Sequence, residues 1–286
     1  MRNTEDISST VAQRFYDNRE ADYFYRCIWG GEDIHVGIYK NEAELIFDAS
    51  RRTIAIMASF LKNLTDETHI LDIGSGYGGA ARYLSEKFNC NIVCLNISKV
   101  QNDRNILINR EKNMDKSITV EEGNFEKLPY DNETFNIIWS QDALLHSNNR
   151  TKVLKEVYRA LKIDGEFIFT DIMANSGCSD SVLEPVLNRI HLKSLGTLNS
   201  YIKCGKSLGF DVEFHDFSEN LSIHYSRILE ETQLYINQLQ TFCSEEFLKG
   251  MILGLKQWIS ASEKHYLTWG VLKLTKKYSE SKILNF

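Results

Sequence analysis

The sequence predicts an α/β fold in which helices flank a doubly wound, mostly parallel sheet of seven strands. Two observations support this fold. Short β-branched runs alternate with helical patterns between residues 68 and 174, and such alternation indicates parallel strands joined by crossover helices. Residues 70–79 form an apolar run, an acid, a glycine-dense turn and the start of a helix, which is typical of a ligand-binding βα unit.

The pattern places each element in turn along the chain. Strands are predicted at 68–73, 91–96, 118–121, 135–139, 165–173, 210–217 and 266–274, with helices between the first five at 80–87, 98–112 and 150–161. Residues 1–62 are largely helical and rich in aromatics, and we expect them to form a helical lid segment because glycines flank aromatics at 29–37. Residues 63–286 are expected to form one domain with helical cap insertions near 180–207 and 219–263.

Composition limits the function classes. The chain has 286 residues, 43% of them hydrophobic, and a net charge of −6, which is enough to bury a full core. The acidic balance without a basic run argues against nucleic acid or an anionic membrane as a partner. We expect a cytoplasmic protein, because no apolar stretch approaches a membrane span and Glu5 and Asp6 stand where a targeting peptide would be basic or apolar.

The glycine turn indicates a bound cofactor. Gly74 and Gly76 let the backbone approach a ligand, and the next helix directs free N–H groups at the same place. With Gly79 they also fit G-x-G-x-x-G, a pattern shared by several nucleotide-cofactor folds, so an NAD-dependent oxidoreductase is an alternative. Asp72 favours another cofactor, because a carboxylate repels a pyrophosphate but attracts an ammonium group. S-adenosylmethionine carries an ammonium group and no phosphate.

Further candidates follow the other strands, because ligands of open α/β sheets bind at the carboxyl ends of the strands. Asn96 stands twenty residues after Gly76, where an adenosyl pocket usually has an acid for the ribose, and an amide accepts that bond more weakly. Asn124 could accept a bond from the adenine amino group while Phe125 flanks the ring. Ordinary loop polarity explains these two equally well. Gln141 follows the fourth strand.

These motifs resemble those of class I S-adenosylmethionine-dependent methyltransferases. The resemblance covers nearly the whole chain and is carried by residues 71–79, 123–129, 139–147 and 161–171. Within that superfamily the sequence resembles the sarcosine/dimethylglycine N-methyltransferases of glycine betaine synthesis, through residues 25–39, 140–147, 189–196 and 264–270. This resemblance implies a Rossmann-like methyltransferase fold, S-adenosylmethionine as cofactor, and methylation of sarcosine and dimethylglycine toward betaine.

Other methyltransferases remain alternatives. The sequence is also similar to phosphoethanolamine N-methyltransferases, whose catalytic tyrosine and histidine would fall on Tyr16 and His146, with Asp142 one helical turn before the histidine. Lipid methyltransferases and cyclopropane synthases share the fold, but should have a basic or apolar membrane-facing surface that the composition does not show. The predicted cofactor-binding residues are Ile34, His35, Asp72, Gly74, Ser75, Gly76, Asn96, Ile97, Asn124, Phe125 and Gln141.

The chemistry of methyl transfer to an amine suggests roles for His146, Tyr16 and Asp142. An amine attacks a sulfonium methyl only when its lone pair is free of a proton, and α-amino groups are largely protonated near neutral pH. His146 suits proton removal, and Tyr16 or Asp142 could orient it, although a capping or core role for His146 is open. Holding the reacting atoms in line needs no metal, so we expect metal-independent activity.

The substrate suggests two kinds of contact. Aromatic faces attract quaternary ammonium groups, and Tyr25, Trp29 and Tyr39 lie in the glycine-flanked N-terminal segment. A substrate carboxylate needs a cation, for which Arg189 and His191 are the candidates, with a solvated helix face as the alternative. The expected partner is therefore a small amine that carries a carboxylate. The sequence does not indicate how many subunits assemble.

Overall fold

The computed structural model describes residues 5–41, 43–62, 64–190 and 192–278. The strands of the sheet are β1 (His69–Ile73), β2 (Asn91–Asn96), β3 (Ile118–Glu122), β4 (Phe135–Gln141), β5 (Leu161–Ala174), β6 (Phe210–Asp216) and β7 (Leu267–Lys276). The helices are α1 (Glu5–Tyr16), α2 (Arg19–Ile28), α3 (Ile46–Ser59), α4 (Gly79–Phe88), α5 (Lys99–Glu111), α6 (Arg150–Ala160), α7 (Asp180–Arg189), α8 (Leu198–Leu208), α9 (Glu219–Leu234), α10 (Ile236–Leu239) and α11 (Glu245–Glu263). None of them combines the length and the apolarity that a membrane span requires.

The seven strands form one sheet in the order β3-β2-β1-β4-β5-β7-β6. Strand β7 runs antiparallel to both of its neighbours, and the other pairs are parallel. The predicted fold is therefore confirmed. Parallel pairing of β1 to β4 brings their carboxyl ends to one edge of the sheet, which places the loops predicted to bind the ligand side by side.

Three apolar cores hold the molecule together. One covers a face of the sheet and contains Ile54 of α3 and Leu84 of α4, and a second covers the opposite face with Val157 of α6 and Tyr201 of α8. The third lies among α2, α7, α9 and α11 and includes Trp258, which is fully buried. Since this third core sits beside the strand ends rather than on a sheet face, it forms the roof of the site.

The structure divides the helical segments differently from the predicted ranges. Within residues 1–62, α3 packs on the sheet through Ile54 and Met57, so only α1, α2 and the segment up to Gly37 cover the strand ends. Within 180–207, α8 packs on α6 and β6, and only α7 joins the roof. Helix α8 stays on the sheet because it packs closely against β6 at Gly205, where an added Cβ would lie 3.0 Å from the side chain of Val212.

Candidate active site

Three adjoining cavities lie at the carboxyl ends of the strands, beneath α1 and α2. The largest, called here the long cavity, contains about 690 Å³ of empty space, part of it open to solvent, and is lined by Ala12, Tyr16, Ile34, Gly74, Gly76, Asn96, Ile97, Gln101, Gly123, Asn124, Phe125, Glu126, Gln141, Asp142, Ala143, His146 and Ser147. The aromatic cavity, with about 380 Å³ of such space, is lined by Tyr16, Tyr25, Trp29, Ile34, His35, Val36, Asp142, Leu145, His146, Ile172, Ile190, Tyr225 and Trp258. The acidic cavity, with about 320 Å³, is lined by Glu32, Asp33, Ile34, His35, Asp72, Gly74, Ser75, Gly76, Gly79, Ala80 and Gln141.

Shared residues connect these cavities. Tyr16, Asp142 and His146 line both the long and the aromatic cavity. Gly76 and Gln141 line both the long and the acidic cavity. All eleven residues predicted to bind the cofactor therefore lie at the long or the acidic cavity, and the three predicted catalytic residues lie at the boundary with the aromatic one.

The glycine turn permits the close approaches that form the acidic cavity. Gly74 has φ +76°, and a Cβ there would lie 2.4 Å from Cβ of Ala143. At Gly79, the first residue of α4, a Cβ would lie 1.9 Å from Oδ1 of Asp33. Both positions therefore exclude a side chain. As a result, the N-terminal segment lies directly against the start of α4.

The acidic cavity has the groups that a zwitterionic ligand needs. Burial raises the pKa of Asp72 to about 7 and that of Asp33 to about 6, although Nε of Arg51 lies 3.1 Å from the Asp33 carboxylate. Oγ of Ser75 and Nε2 of Gln141 are buried and accept or donate no hydrogen bond within the described part of the chain. A buried polar atom without a partner is costly, so these atoms fit a bound amino-acid group.

The long cavity combines apolar walls with two amides. Nδ2 of Asn96 donates to Oε1 of Gln101 at 2.9 Å, which leaves Oδ1 of Asn96 as the acceptor for a ligand. Oδ1 of Asn124 accepts from the backbone N–H of Glu126 at 2.8 Å, so it stabilises its own loop. Phe125 supplies an aromatic ring. This arrangement suits a ribose beside Asn96 and a planar base beside Phe125.

Tyr16 and His146 form a direct pair between the cavities. The Tyr16 hydroxyl lies 2.9 Å from Nε2 of His146, and the rings meet edge to face at 5.3 Å. His146 ends a short 3₁₀ turn, Leu144–His146. Asp171 accepts from the Leu145 N–H at 2.9 Å, and Arg150 donates to the Leu145 carbonyl at 2.9 Å. The two peptide groups that flank Leu145, the residue before His146, are thus held in place.

Asp142 is held by other groups. Its Oδ2 accepts from the Val36 N–H and its Oδ1 from Nε1 of Trp269, both at 2.8 Å. Burial raises the pKa of Asp142, and burial lowers the pKa of the neighbouring His35. Of the two candidates for orienting His146, Tyr16 therefore provides the hydrogen bond, whereas Asp142 fixes the N-terminal segment against β7.

The aromatic cavity contains two of the three predicted aromatic contacts. Tyr25 and Trp29 pack at 5.0 Å between ring centroids, and Trp29 lies 6.0 Å from Tyr225. Tyr225 in turn packs on Trp258 at 5.0 Å. Four aromatic rings from α2, its C-terminal end, α9 and α11 thus surround a space that Asp142 also lines. Electron-rich faces and one carboxylate favour a cationic ligand.

The other residues predicted to bind the substrate are not among the described residues that line the aromatic cavity. Tyr39 does not line the aromatic cavity: its N–H donates to Asn220 and its hydroxyl lies 2.9 Å from Nδ1 of His224, so α9 turns the ring away. The His224 ring lies 5.6 Å from Trp29, so Tyr39 supports that wall from behind. Arg189 ends α7, and its side chain, like the whole of His191, lies outside the described residues.

Comparison with known proteins agrees with this geometry. A family model described as a methyltransferase domain matches residues 71–169. A sarcosine/dimethylglycine N-methyltransferase from Aphanothece halophytica is 46% identical over 95% of this chain and 98% of its own, and one from Halorhodospira halochloris is 42% identical over 95% and 98%. A crystal structure from Galdieria sulphuraria, provisionally described as a sarcosine dimethylglycine methyltransferase, is 40% identical, covers 90% of this chain and 98% of its own, and has a TM-score of 0.85. The chain belongs to the sarcosine/dimethylglycine N-methyltransferase family.

Membership in this family confirms the resemblance read from the sequence. The chain is a methyltransferase, and the oxidoreductase alternative is excluded. Within the described residues no group of His, Cys, Asp and Glu is arranged to hold a metal ion. The metal independence expected of this methyltransferase remains a prediction.

The sequence did not reveal every residue of the methyltransferase site. Tyr225 and Trp258 lie in long amphipathic helices, where an aromatic residue looks like any other core position. Asp33 had a local signal, because it is the second of two acids that follow the glycine pair at 30–31. Gln101 and Ser147 are polar residues beside predicted strand ends, and only the assembled sheet shows that they reach the long cavity.

Proposed function

We propose that this protein transfers the methyl group of S-adenosylmethionine to the nitrogen of sarcosine and dimethylglycine, with glycine betaine as the end product. One observation carries the proposal: the Tyr16–His146 pair stands between a cavity suited to an adenosyl group and a cavity of aromatic rings. The family membership supports the same reaction.

The cofactor would lie across two cavities. Bound S-adenosylmethionine supplies a methyl group on a positively charged sulfur. Asp72, Ser75 and Gln141 would hold its amino-acid end in the acidic cavity, since they include a buried carboxylate and two buried atoms without partners among the described residues. Asn96 and Phe125 would contact the ribose and the base in the long cavity.

The Tyr16–His146 pair would manage the proton of the amine. Dimethylglycine enters largely protonated on nitrogen, and its lone pair must be freed before it attacks. Nε2 of His146 can accept that proton directly or by exchange through the Tyr16 hydroxyl, which is already hydrogen-bonded to it. The clamped peptide groups that flank Leu145 keep this acceptor in position. In-line placement then supplies much of the rate.

The aromatic cavity would recognise the methylated nitrogen. Tyr25, Trp29, Tyr225 and Trp258 present ring faces to a quaternary ammonium group, and Asp142 adds a negative charge. No lysine or arginine is among the described residues that line this cavity. We propose a substrate with a single carboxylate rather than phosphoethanolamine, because a phosphate needs more positive charge than Arg189 and His191 would supply. We assign that carboxylate to Arg189 and His191, because they flank Ile190, which lines the cavity.

We place the reaction in the cytoplasm. All six cysteines are free thiols, as is usual in a reducing compartment. Fractionation of cells that express the native protein, followed by immunoblotting, would test this location. Recovery in the soluble cytoplasmic fraction is expected, and recovery in an exported fraction would contradict it.

A direct assay tests the reaction. Purified protein is given S-adenosylmethionine with dimethylglycine, sarcosine, glycine or phosphoethanolamine, and S-adenosylhomocysteine and the methylated product are measured. Turnover with dimethylglycine and sarcosine is expected, with a much lower kcat/KM for phosphoethanolamine. Calorimetric titration should show binding of S-adenosylmethionine and none of NAD. Faster turnover of phosphoethanolamine than of dimethylglycine would refute the proposed substrate.

A further inference from the structure

A buried contact joins helix α2 to the glycine turn. Oδ1 of Asp22 accepts from the Tyr77 hydroxyl at 2.8 Å, and Oδ2 of Asp22 accepts from Nη2 of Arg104 at 2.8 Å. Tyr77 is 1% exposed and follows Gly76, which lines two of the cavities. Arg104 belongs to α5 and also lies over the Tyr77 ring at 5.9 Å. The carboxylate of Asp22 thus bridges the cofactor-binding turn and α5.

The backbone of Tyr77 is tied to the same N-terminal segment. Arg82 is 3% exposed, donates to the Tyr77 carbonyl, and donates from Nε to Glu32 at 2.8 Å. Both ends of Tyr77, the hydroxyl and the carbonyl, are therefore linked to residues between α2 and Asp33. The buried charges of Asp22 and Arg82 are both paired here, which is the condition for a stable buried charge.

Helix α2 continues from this contact to the catalytic pair. Tyr25 lies one turn after Asp22 on α2 and lines the aromatic cavity. Its ring packs 5.9 Å from that of Tyr16, whose hydroxyl meets His146. A displacement of the glycine turn therefore reaches Tyr16 through three side chains, those of Tyr77, Asp22 and Tyr25, and one helical turn, and close side-chain packing transmits displacement.

We propose that Asp22 is a positioning residue that couples occupation of the glycine turn to the placement of Tyr25 and Tyr16. The coupling rests on the proposed function, because it assumes that the cofactor occupies that turn. When the cofactor fixes the turn, Tyr77 holds α2 through Asp22, and the aromatic cavity is completed around Tyr25. Without the Tyr77 hydroxyl, cofactor and α2 are coupled less strongly.

Amide hydrogen exchange tests this coupling. Exchange of residues 19–28 is measured with and without saturating S-adenosylhomocysteine in the wild-type protein and in Tyr77→Phe, which removes one oxygen atom and leaves the ring. Asp22→Asn is a second variant, which keeps the shape but loses the charge. Asp103→Asn is the matched control, because Asp103 is an exposed residue of α5 whose ion pair, among the described residues, is with Lys99 of the same helix. Binding of S-adenosylhomocysteine itself is measured by calorimetry.

We expect S-adenosylhomocysteine to slow exchange in α2 of the wild-type and Asp103→Asn proteins. In Tyr77→Phe and Asp22→Asn the slowing should fall by about tenfold, the usual worth of a hydrogen bond to a charged group, and kcat should fall while the KM for S-adenosylmethionine changes less. Equal slowing in all four proteins would refute the coupling, as would kcat values equal to wild type. Failure of S-adenosylhomocysteine to bind the wild-type protein would instead refute the proposed function, and the coupling with it.

Discussion

The hydroxyl of Tyr16 lies 2.9 Å from Nε2 of His146, and both residues line the long and the aromatic cavity. Tyr16 comes from the N-terminal helix α1, and His146 from the turn after β4. The pair therefore exists only when α1 lies over the strand ends. The proposed proton acceptor, His146, therefore depends on the position of the N-terminal segment.

Removal of either partner should slow the chemical step. We expect His146→Ala to lower kcat by about 10²- to 10⁴-fold, the usual contribution of a positioned acid or base, and Tyr16→Phe to lower it by about tenfold or more through loss of one hydrogen bond. The dissociation constant of S-adenosylhomocysteine should change little. Steady-state kinetics and calorimetry measure both quantities.

The control for this pair is Tyr235→Phe, which removes the hydroxyl of a half-exposed tyrosine on the surface. It should keep wild-type kinetics. A folded His146→Ala protein with unchanged turnover would remove this histidine from the mechanism and leave it as a structural residue of the turn.

Asp72 should make cofactor binding release a proton. Burial raises its pKa to about 7, so near neutral pH part of the free protein carries a neutral Asp72. A nearby ammonium group stabilises the carboxylate and lowers that pKa. Affinity for S-adenosylhomocysteine should therefore increase as the pH rises from about 6 to about 7.5. Calorimetry in buffers of different ionisation enthalpy would detect the released proton, and Asp72→Asn should abolish the release.

The same raised pKa affects the stability of the ligand-free protein. Asp72 and Asp171 both titrate near 7 in the folded chain, against an ordinary value of 3.8, because both are buried. The folded state thus binds these protons more tightly than the unfolded state. Their contribution to the free energy of unfolding is complete below about pH 4 and is lost as the pH rises through about 7. As the pH rises across this range, Tm should decrease less for Asp72→Asn than for the wild-type protein. An equal decrease in the two proteins would contradict the raised pKa of Asp72.

Much of this site could be predicted from the sequence because parallel strands end at one edge of a sheet. Asp72, Asn96 and Gln141 are far apart along the chain, yet each follows a strand, so local patterns sufficed to group them. The rings of Tyr225 and Trp258 could not be predicted, because their positions depend on how α9 and α11 pack above the sheet. The position of Tyr39 outside the aromatic cavity could not be predicted for the same reason, since its hydrogen bonds with Asn220 and His224 of α9 determine its direction.

Gly74 should be intolerant of any side chain. Gly74→Ala combines the strain of φ +76° with a contact 2.4 Å from Cβ of Ala143, and strain and overpacking each cost about 1–3 kcal/mol. The control is Gly177→Ala, which has φ +90° but, apart from its two chain neighbours, no described residue within 4 Å of the new Cβ, so it shows strain alone. We expect Gly74→Ala to lower Tm further and to weaken S-adenosylhomocysteine binding, whereas Gly177→Ala should bind normally. Equal changes in Tm and in binding for the two variants would show that the contact with Ala143 has no effect.

Activity should survive chelation. The proposed chemistry assigns proton removal to Tyr16 and His146 and methyl activation to the sulfonium, so no step requires a metal ion. Turnover of dimethylglycine after dialysis against EDTA should equal that of the untreated enzyme. Loss of activity in the chelator, restored by a divalent ion, would overturn this prediction.

The hydrogen bond from Tyr201 to Asp171 should affect kcat indirectly, by holding the turn that carries His146. Tyr201 donates to Oδ2 of Asp171 at 2.6 Å, and Oδ1 of the same carboxylate holds the Leu145 N–H beside His146. Tyr201→Phe leaves one carboxylate oxygen without its donor, so the turn is held less firmly and kcat should fall by about tenfold, since one charge-assisted bond is lost. Affinity for S-adenosylhomocysteine should be unchanged, because neither residue lines the acidic or the long cavity. Tyr83→Phe, which loses only an exposed bond to Lys87, is the control. A drop in cofactor affinity equal to the drop in kcat would show that Tyr201 acts on the whole fold rather than on the His146 turn.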